Sequence, residues 1–135
     1  MAADITLFAS AARTTTTKTD EATPRELAAD VVGDAVDLVD NRALSLLLSA
    51  NTPTDGIDNA IADVSVESSE DGVAGWREIA RFTARPVAGV VVSERISCVA
   101  DRYVRARARI APRTNDRAKG SITFSVTGRA VGSAT

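Results

Sequence analysis

The chain has 135 residues, 44% hydrophobic and 25% charged, with a formal net charge of −2, which is the make-up of one folded domain without a general pull toward polyanions. It contains no histidine and a single cysteine, Cys98, so it can form no internal disulfide, a zinc site is nearly excluded and the usual general base is missing. The longest uncharged apolar runs, 43–50 and 87–92, are far too short to span a bilayer, and the opening Met1-Ala2-Ala3-Asp4 lacks the basic start of a secretory signal.

In chain order, residues 5–10 are an apolar stretch long enough for one strand. Residues 13–26 are polar, with four consecutive threonines at Thr14, Thr15, Thr16 and Thr17 and then Lys18-Thr19-Asp20-Glu21. No period there serves a core, so an extended arm or long surface loop is expected. Residues 23–40 support two readings. Thr23-Pro24-Arg25-Glu26 forms a helix-capping box, continued by Leu27, Val31, Ala35 and Leu38 at helical spacing. The alternative is two short strands, 27–32 and 35–39, broken at Gly33-Asp34. The β-branched valines and Gly33 weaken the helix.

Strand signals follow. Residues 42–50 put Leu44, Leu46 and Leu48 on one face, and 51–59 carry the loop chemistry of Pro53, Asp55 and Gly56. Residues 61–68 alternate, with Ala62, Val64 and Val66 inward. Ser69-Glu70-Asp71-Gly72 is a turn, and 75–82 bring Trp76, Ile79 and Phe82. Residues 87–99 form one bent strand or two short ones. In 103–110, Val104, Ala106, Ala108 and Ile110 fall on one face and Tyr103, Arg105, Arg107 and Arg109 on the other, the mark of a strand with one buried face. Residues 112–120 are a charged turn, and 121–126 turn Ile122, Phe124 and Val126 inward. Many short strands joined by turns predict an all-β antiparallel β-sandwich, jelly-roll-like, with an extended N-terminal arm. Residues 1–26 form the N-terminal strand and Thr-rich arm, and 27–135 the sandwich.

Several of these pieces occur together in a known group. They are Ile5-Thr6-Leu7-Phe8-Ala9-Ser10, Leu44-Ser45-Leu46-Leu47-Leu48 and Ser68-Ser69-Glu70-Asp71-Gly72. Trp76 through Phe82, Arg102-Tyr103-Val104-Arg105 and Ile122 through Gly128 complete the set. The chain resembles small β-sandwich structural proteins of tailed bacteriophages, though the group is plain strand across 23–40. The resemblance implies a virion protein, made in the host bacterial cytoplasm. It would be a head decoration or minor capsid component that contacts the major capsid protein or copies of itself as a homo-oligomer. Tail-tube or head-to-tail connector proteins and carbohydrate-binding modules are the alternatives. The last would need exposed aromatic rings near one end.

The candidate partner-binding residues are Thr14, Thr15, Thr16 and Thr17, which could lie extended along a neighbour's sheet edge, together with Tyr103, Arg105, Arg107 and Arg109. Arginine on an exposed strand face suits contact with an acidic surface. No catalytic residue, metal or cofactor is expected, and neither a nucleic-acid nor a membrane partner. Ser68-Ser69 has no base beside it in the sequence, and Asp55, Asp58, Asp63, Glu70 and Asp71 do not have calcium-loop spacing. Trp76, Phe82, Phe124 and Cys98 are expected in the core.

Overall fold

A computed structural model of the chain describes residues 4–19, 25–39, 42–51, 60–84, 91–112 and 121–131. They form strands β1 (Asp4–Thr14), β2 (Thr16–Lys18), β3 (Arg25–Leu27), β4 (Ala29–Val32), β5 (Val36–Asp37), β6 (Ala43–Asn51), β7 (Ala60–Ser69), β8 (Arg77–Arg81), β9 (Val91–Val99), β10 (Tyr103–Pro112) and β11 (Ser121–Ala130). One sheet has the order β1-β11-β6-β9. The other runs β4-β10-β7-β8, with β5 also paired to β10, and β2 and β3 make a separate ribbon. If β4 and β5 are counted as one interrupted strand and the ribbon is set aside, eight antiparallel strands remain. The first, eighth, third and sixth form one layer, and the second, seventh, fourth and fifth the other. That order is a jelly roll.

Period-two patterning builds the core. Leu44, Leu46 and Leu48 from one layer face Val64, Val66, Val104 and Ile110 from the other, all at 1% exposure or less. Small Ala106 and Ala108 on β10 share the core with the large rings of Phe82 and Phe124, the mixture of sizes that lets facing layers interdigitate. Each fully buried Val, Leu or Phe contributes about 1.5–3 kcal/mol.

Residues 25–39 are strands, so of the two readings the strand pair holds; Thr23 and Pro24 of the capping box lie outside the described residues. Tertiary pairing decides the matter. Val31 and Val32 sit in register with Ala108 and Arg107, and the Gly33 N–H donates to the Ala106 carbonyl at 2.9 Å. The Leu7 backbone crosses directly over Gly33, where a Cβ would overlap the Leu7 carbonyl oxygen and lie 3.1 Å from the Phe8 ring. Close packing of β1 onto this break closes one side of the sandwich.

On the opposite side the Glu94 carboxylate reaches from β9 to the chain leaving β8. It accepts the Thr83 N–H at 3.2 Å, the Thr83 hydroxyl at 3.1 Å and the Ala84 N–H. The end formed by residues 37–39, 42, 68–77 and 100–103 is tied together by Arg102–Asp37, Arg77–Asp101 and Arg42–Glu70 pairs. At its centre the buried Ser68 hydroxyl donates to the Tyr103 carbonyl and accepts the Asp101 N–H, both at 2.7 Å. Ser68→Ala strands both backbone groups and is expected to cost about 2 kcal/mol, read as a lower urea midpoint at unchanged slope.

The described residues of the N-terminal arm are extended, but the chain itself pairs them. Strand β1 continues to Thr14, opposite Ser121, and β2 pairs with β3. Trp76 departs from expectation: Phe82 and Phe124 are buried, whereas Trp76 is only half-buried and its ring lies beneath the Arg105 guanidinium at 4.0 Å, on the outer side of the sheet. The expected loops at 51–59 and 112–120 fall almost wholly outside the described residues.

Candidate functional site

Strand β10 lies inside its sheet, between β7 and the β4–β5 strand. Alternation therefore buries Val104, Ala106, Ala108 and Ile110 and turns Tyr103, Arg105, Arg107 and Arg109 outward. Carboxylates on neighbouring strands meet this row. The Arg105 Nε donates to Glu67 at 2.9 Å, directly opposite on β7. Arg107 reaches the other Glu67 oxygen at 3.6 Å, and Arg109 lies 3.6 Å from Asp30 on β4. Asp63, the β7 residue opposite Arg109, is held by Arg81 at 3.0 Å, and Arg81 also binds Glu78 at 2.6 Å. Arg105–Glu67 is largely buried, and the exposed pairs beside it contribute little to stability. Their effect is on the field: cations and anions alternate, and the face carries no basic excess to steer an acidic partner.

The two ends of the row differ. The Ser69 hydroxyl accepts the Gly72 N–H at 3.1 Å, and the Asp71 carboxylate accepts the Val73 and Ala74 N–H groups at 2.9 and 3.0 Å. These bonds fold the turn over Tyr103. Gly72, at φ 75°, sits where a Cβ would come within 3.0 Å of that ring, and a positive φ with no room for a side chain calls for glycine. Tyr103 and Arg105 are thus built into the fold, while Arg107 and Arg109, at 46% and 62% side-chain exposure, stay reachable.

Thr14 is exposed at the end of β1, Thr15 is buried, and Thr16 and Thr17 are exposed on the ribbon. The ribbon runs through Ala28 into β4, whose Ala29 pairs with Ile110. The threonines therefore lie beyond the Arg109 end of the row and away from Tyr103. Of the acidic residues weighed for calcium, Asp55 and Asp58 are outside the described residues. Asp63 and Glu70 are paired with Arg81 and Arg42, and Asp71 is taken up by its turn. Cys98 is half-buried and packed against the core, and burial pushes its thiol up from the ordinary value.

The outer face of the other sheet is of a different kind, and it was missed in the sequence. Its cross-strand rows are Thr6, Thr127, Leu47 and Arg95, then Ser125, Ser49 and Ser93, then Arg129, Ser45 and Ser97. These are short hydroxyl side chains with few charges. The signal for it was present in 121–129, where Thr123, Ser125, Thr127 and Arg129 alternate with the buried residues. Arg95 donates to the Ser45 hydroxyl at 2.9 Å. An open depression of about 300 Å³ lies here, lined by Asp4, Thr6, Ser45, Arg95, Thr127 and Arg129 among others. It lacks the enclosed, mainly apolar walls of a small-molecule site.

Four carboxyls are held below their ordinary values: Asp37 by Arg102 and the Val39 N–H, Asp71 by the Ala74 and Val73 N–H groups, Glu94 by the Ala84 N–H, and Asp101 by Arg77. A depressed folded-state value adds stability above the unfolded-state value that is lost as pH falls through the folded one. Urea midpoints are therefore expected to be unaffected by these groups above pH 4.5, the ordinary Glu value, and to fall progressively below it. A midpoint that rises on acidification would contradict the assignment.

No family model matches the chain, and no curated protein does. Solved structures share its fold. The VP2 subviral particle of infectious bursal disease virus superposes at TM-score 0.63 and 9% identity, over 96% of this chain and 31% of that one. The Gx strain structure of the same virus gives 0.57 at 13% identity, over 98% and 32%. The PBSX exported protein XepA gives 0.50 at 14%, over 93% and 38%. The chain spans about a third of the length of these proteins. At such identities the likeness is one of fold alone: an antiparallel β-sandwich like that in the VP2 subviral particle.

Proposed function

We propose that this chain is a non-enzymatic structural protein of a virus particle, a head decoration or minor capsid component of a tailed bacteriophage, bound to the major capsid protein and to copies of itself. The observation that carries this reading is the likeness of nearly the whole chain to the sandwich of a protein that forms a subviral particle. The chemistry of the molecule is in keeping with it. The Ser68 and Ser69 hydroxyls are committed to backbone groups and to Asp71, and the chain has no histidine. Its outer sheet faces carry mainly polar and paired charged side chains and no enclosed apolar pocket among the described residues, which suits contact with another extended surface. Many identical weak contacts on a symmetric shell add up to firm attachment.

The test is to mix purified protein with phage heads lacking it, sediment the heads and heat them. Co-sedimentation at a fixed stoichiometry, with heads that release their contents at a higher temperature, is expected. Absence of binding, together with retention on a glycan or oligonucleotide array, overturns the reading.

A further inference from the structure

Each sheet of a sandwich has two edge strands, and an unprotected edge is a template for pairing with another chain. Three of the four edges here are blunted. Strand β1 carries two bulges, β4 and β5 are interrupted at Gly33, and β8 has five residues and a register shift. Strand β9 is different. It pairs with β6 over nine consecutive residues without a shift, and among the described residues no strand pairs with its other edge. It contains no proline or lysine, its two charges are taken up within the chain, Glu94 by Thr83 and Ala84 and Arg95 by Ser45, and Val91 and Val99 at its two ends are 75% and 70% exposed.

In the sequence of this strand, Val-Val-Ser-Glu-Arg-Ile-Ser-Cys-Val, the outward-facing residues read the same from either end about Arg95, while of the inner ones Val92 and Cys98 are alike in size and Glu94 and Ile96 differ. We infer that β9 pairs antiparallel with β9 of a second copy of this chain, on a two-fold axis through Arg95, joining two four-stranded sheets into one of eight. In that register each Val91 lies opposite Val99 of the second copy and each Ser93 opposite Ser97. On the inner face Val92 meets Cys98 and Glu94 meets Ile96. A two-fold interface requires a patch complementary to itself, and this strand has one. The two arginines on the axis do not collide, because each guanidinium leans back over its own sheet onto Ser45. The contact is about 30 Å long and falls among small, reversible interfaces.

Sedimentation equilibrium of the full chain from about 10 to 500 µM, the range for a small interface, is expected to show a monomer–dimer equilibrium. The double variant Val91→Lys with Val99→Lys sets like charges opposite each other at both ends and should weaken association about tenfold or more. Val91→Glu with Val99→Lys gives opposite charges in this register alone and should restore it. Both sites are exposed, so circular dichroism should show each variant folded. A chain monomeric throughout, a lysine pair that associates unchanged, or a glutamate–lysine pair as weak as the lysine pair would overturn the inference. The dimer forms without any particle, so its failure and a failure to bind phage heads are read separately.

Discussion

Phe124→Ala is expected to destabilise the protein by about 4 kcal/mol, the range for removing a fully buried aromatic ring. Phe124 has no exposed surface. Its ring meets Phe8 edge-on, with centroids 5.7 Å apart and planes at 85°, and the Arg13 guanidinium stacks on both rings at 4.6 and 4.7 Å. Arg13 is held there by bonds to the Ala9, Ala11 and Phe124 carbonyls, so it cannot swing away without abandoning them. Truncating the ring opens a cavity and strips a partly buried cation of one of its two aromatic faces. Thermal unfolding should drop by about 15 °C for a domain of this size. Phe124→Leu, which keeps most of the volume, should lose less than about half as much. A loss under about 1 kcal/mol for the alanine variant, typical of a surface change, would place the ring outside the sandwich.

Gly33→Ala is expected to cost about 3 kcal/mol, at the upper end for overpacking, although alanine is ordinarily the milder residue in a strand. The added methyl meets backbone, the Leu7 carbonyl, and not a side chain that could change rotamer. Relief requires β1 to lift, and with it Phe8, which is 4% exposed. Gly75 provides the control. A Cβ there meets nothing within 4 Å, but φ is 69°, so Gly75→Ala should cost only the left-handed backbone penalty of about 1–2 kcal/mol. Equal losses at the two positions, measured by urea unfolding, would show that crowding at Leu7 is not the cause.

Much of the fold was legible because nearly every long strand has one buried face, and a buried face writes itself into the sequence with period two. Leu44, Leu46 and Leu48, the valines of β7 and the β10 row could all be read this way. Alternation does not encode partners, however. That Thr14 pairs with Ser121, or that Gly33 receives the Leu7 carbonyl, depends on residues far apart in the chain. Trp76 was misplaced because the preceding turn is built from Ser69 and Asp71 side-chain bonds and two left-handed glycines. Those features reset the direction in which the next residue points. The arginine row was visible as outward-facing, but its neutralisation was not, since Glu67, Asp30 and Asp63 come from other strands.

The clasp between β1 and β11 has a kinetic consequence. Asp4 and Arg129, joined at 3.1 Å, are 125 positions apart, and among the described residues β1 has its paired strand only in β11. Until synthesis passes β11, β1 has no paired strand and Phe8 lacks the Phe124 ring against it. Proteins whose contacts span such separations fold over milliseconds to seconds, since loop closure must precede any reward. The nascent chain is consequently most vulnerable to misassociation just before β11 emerges.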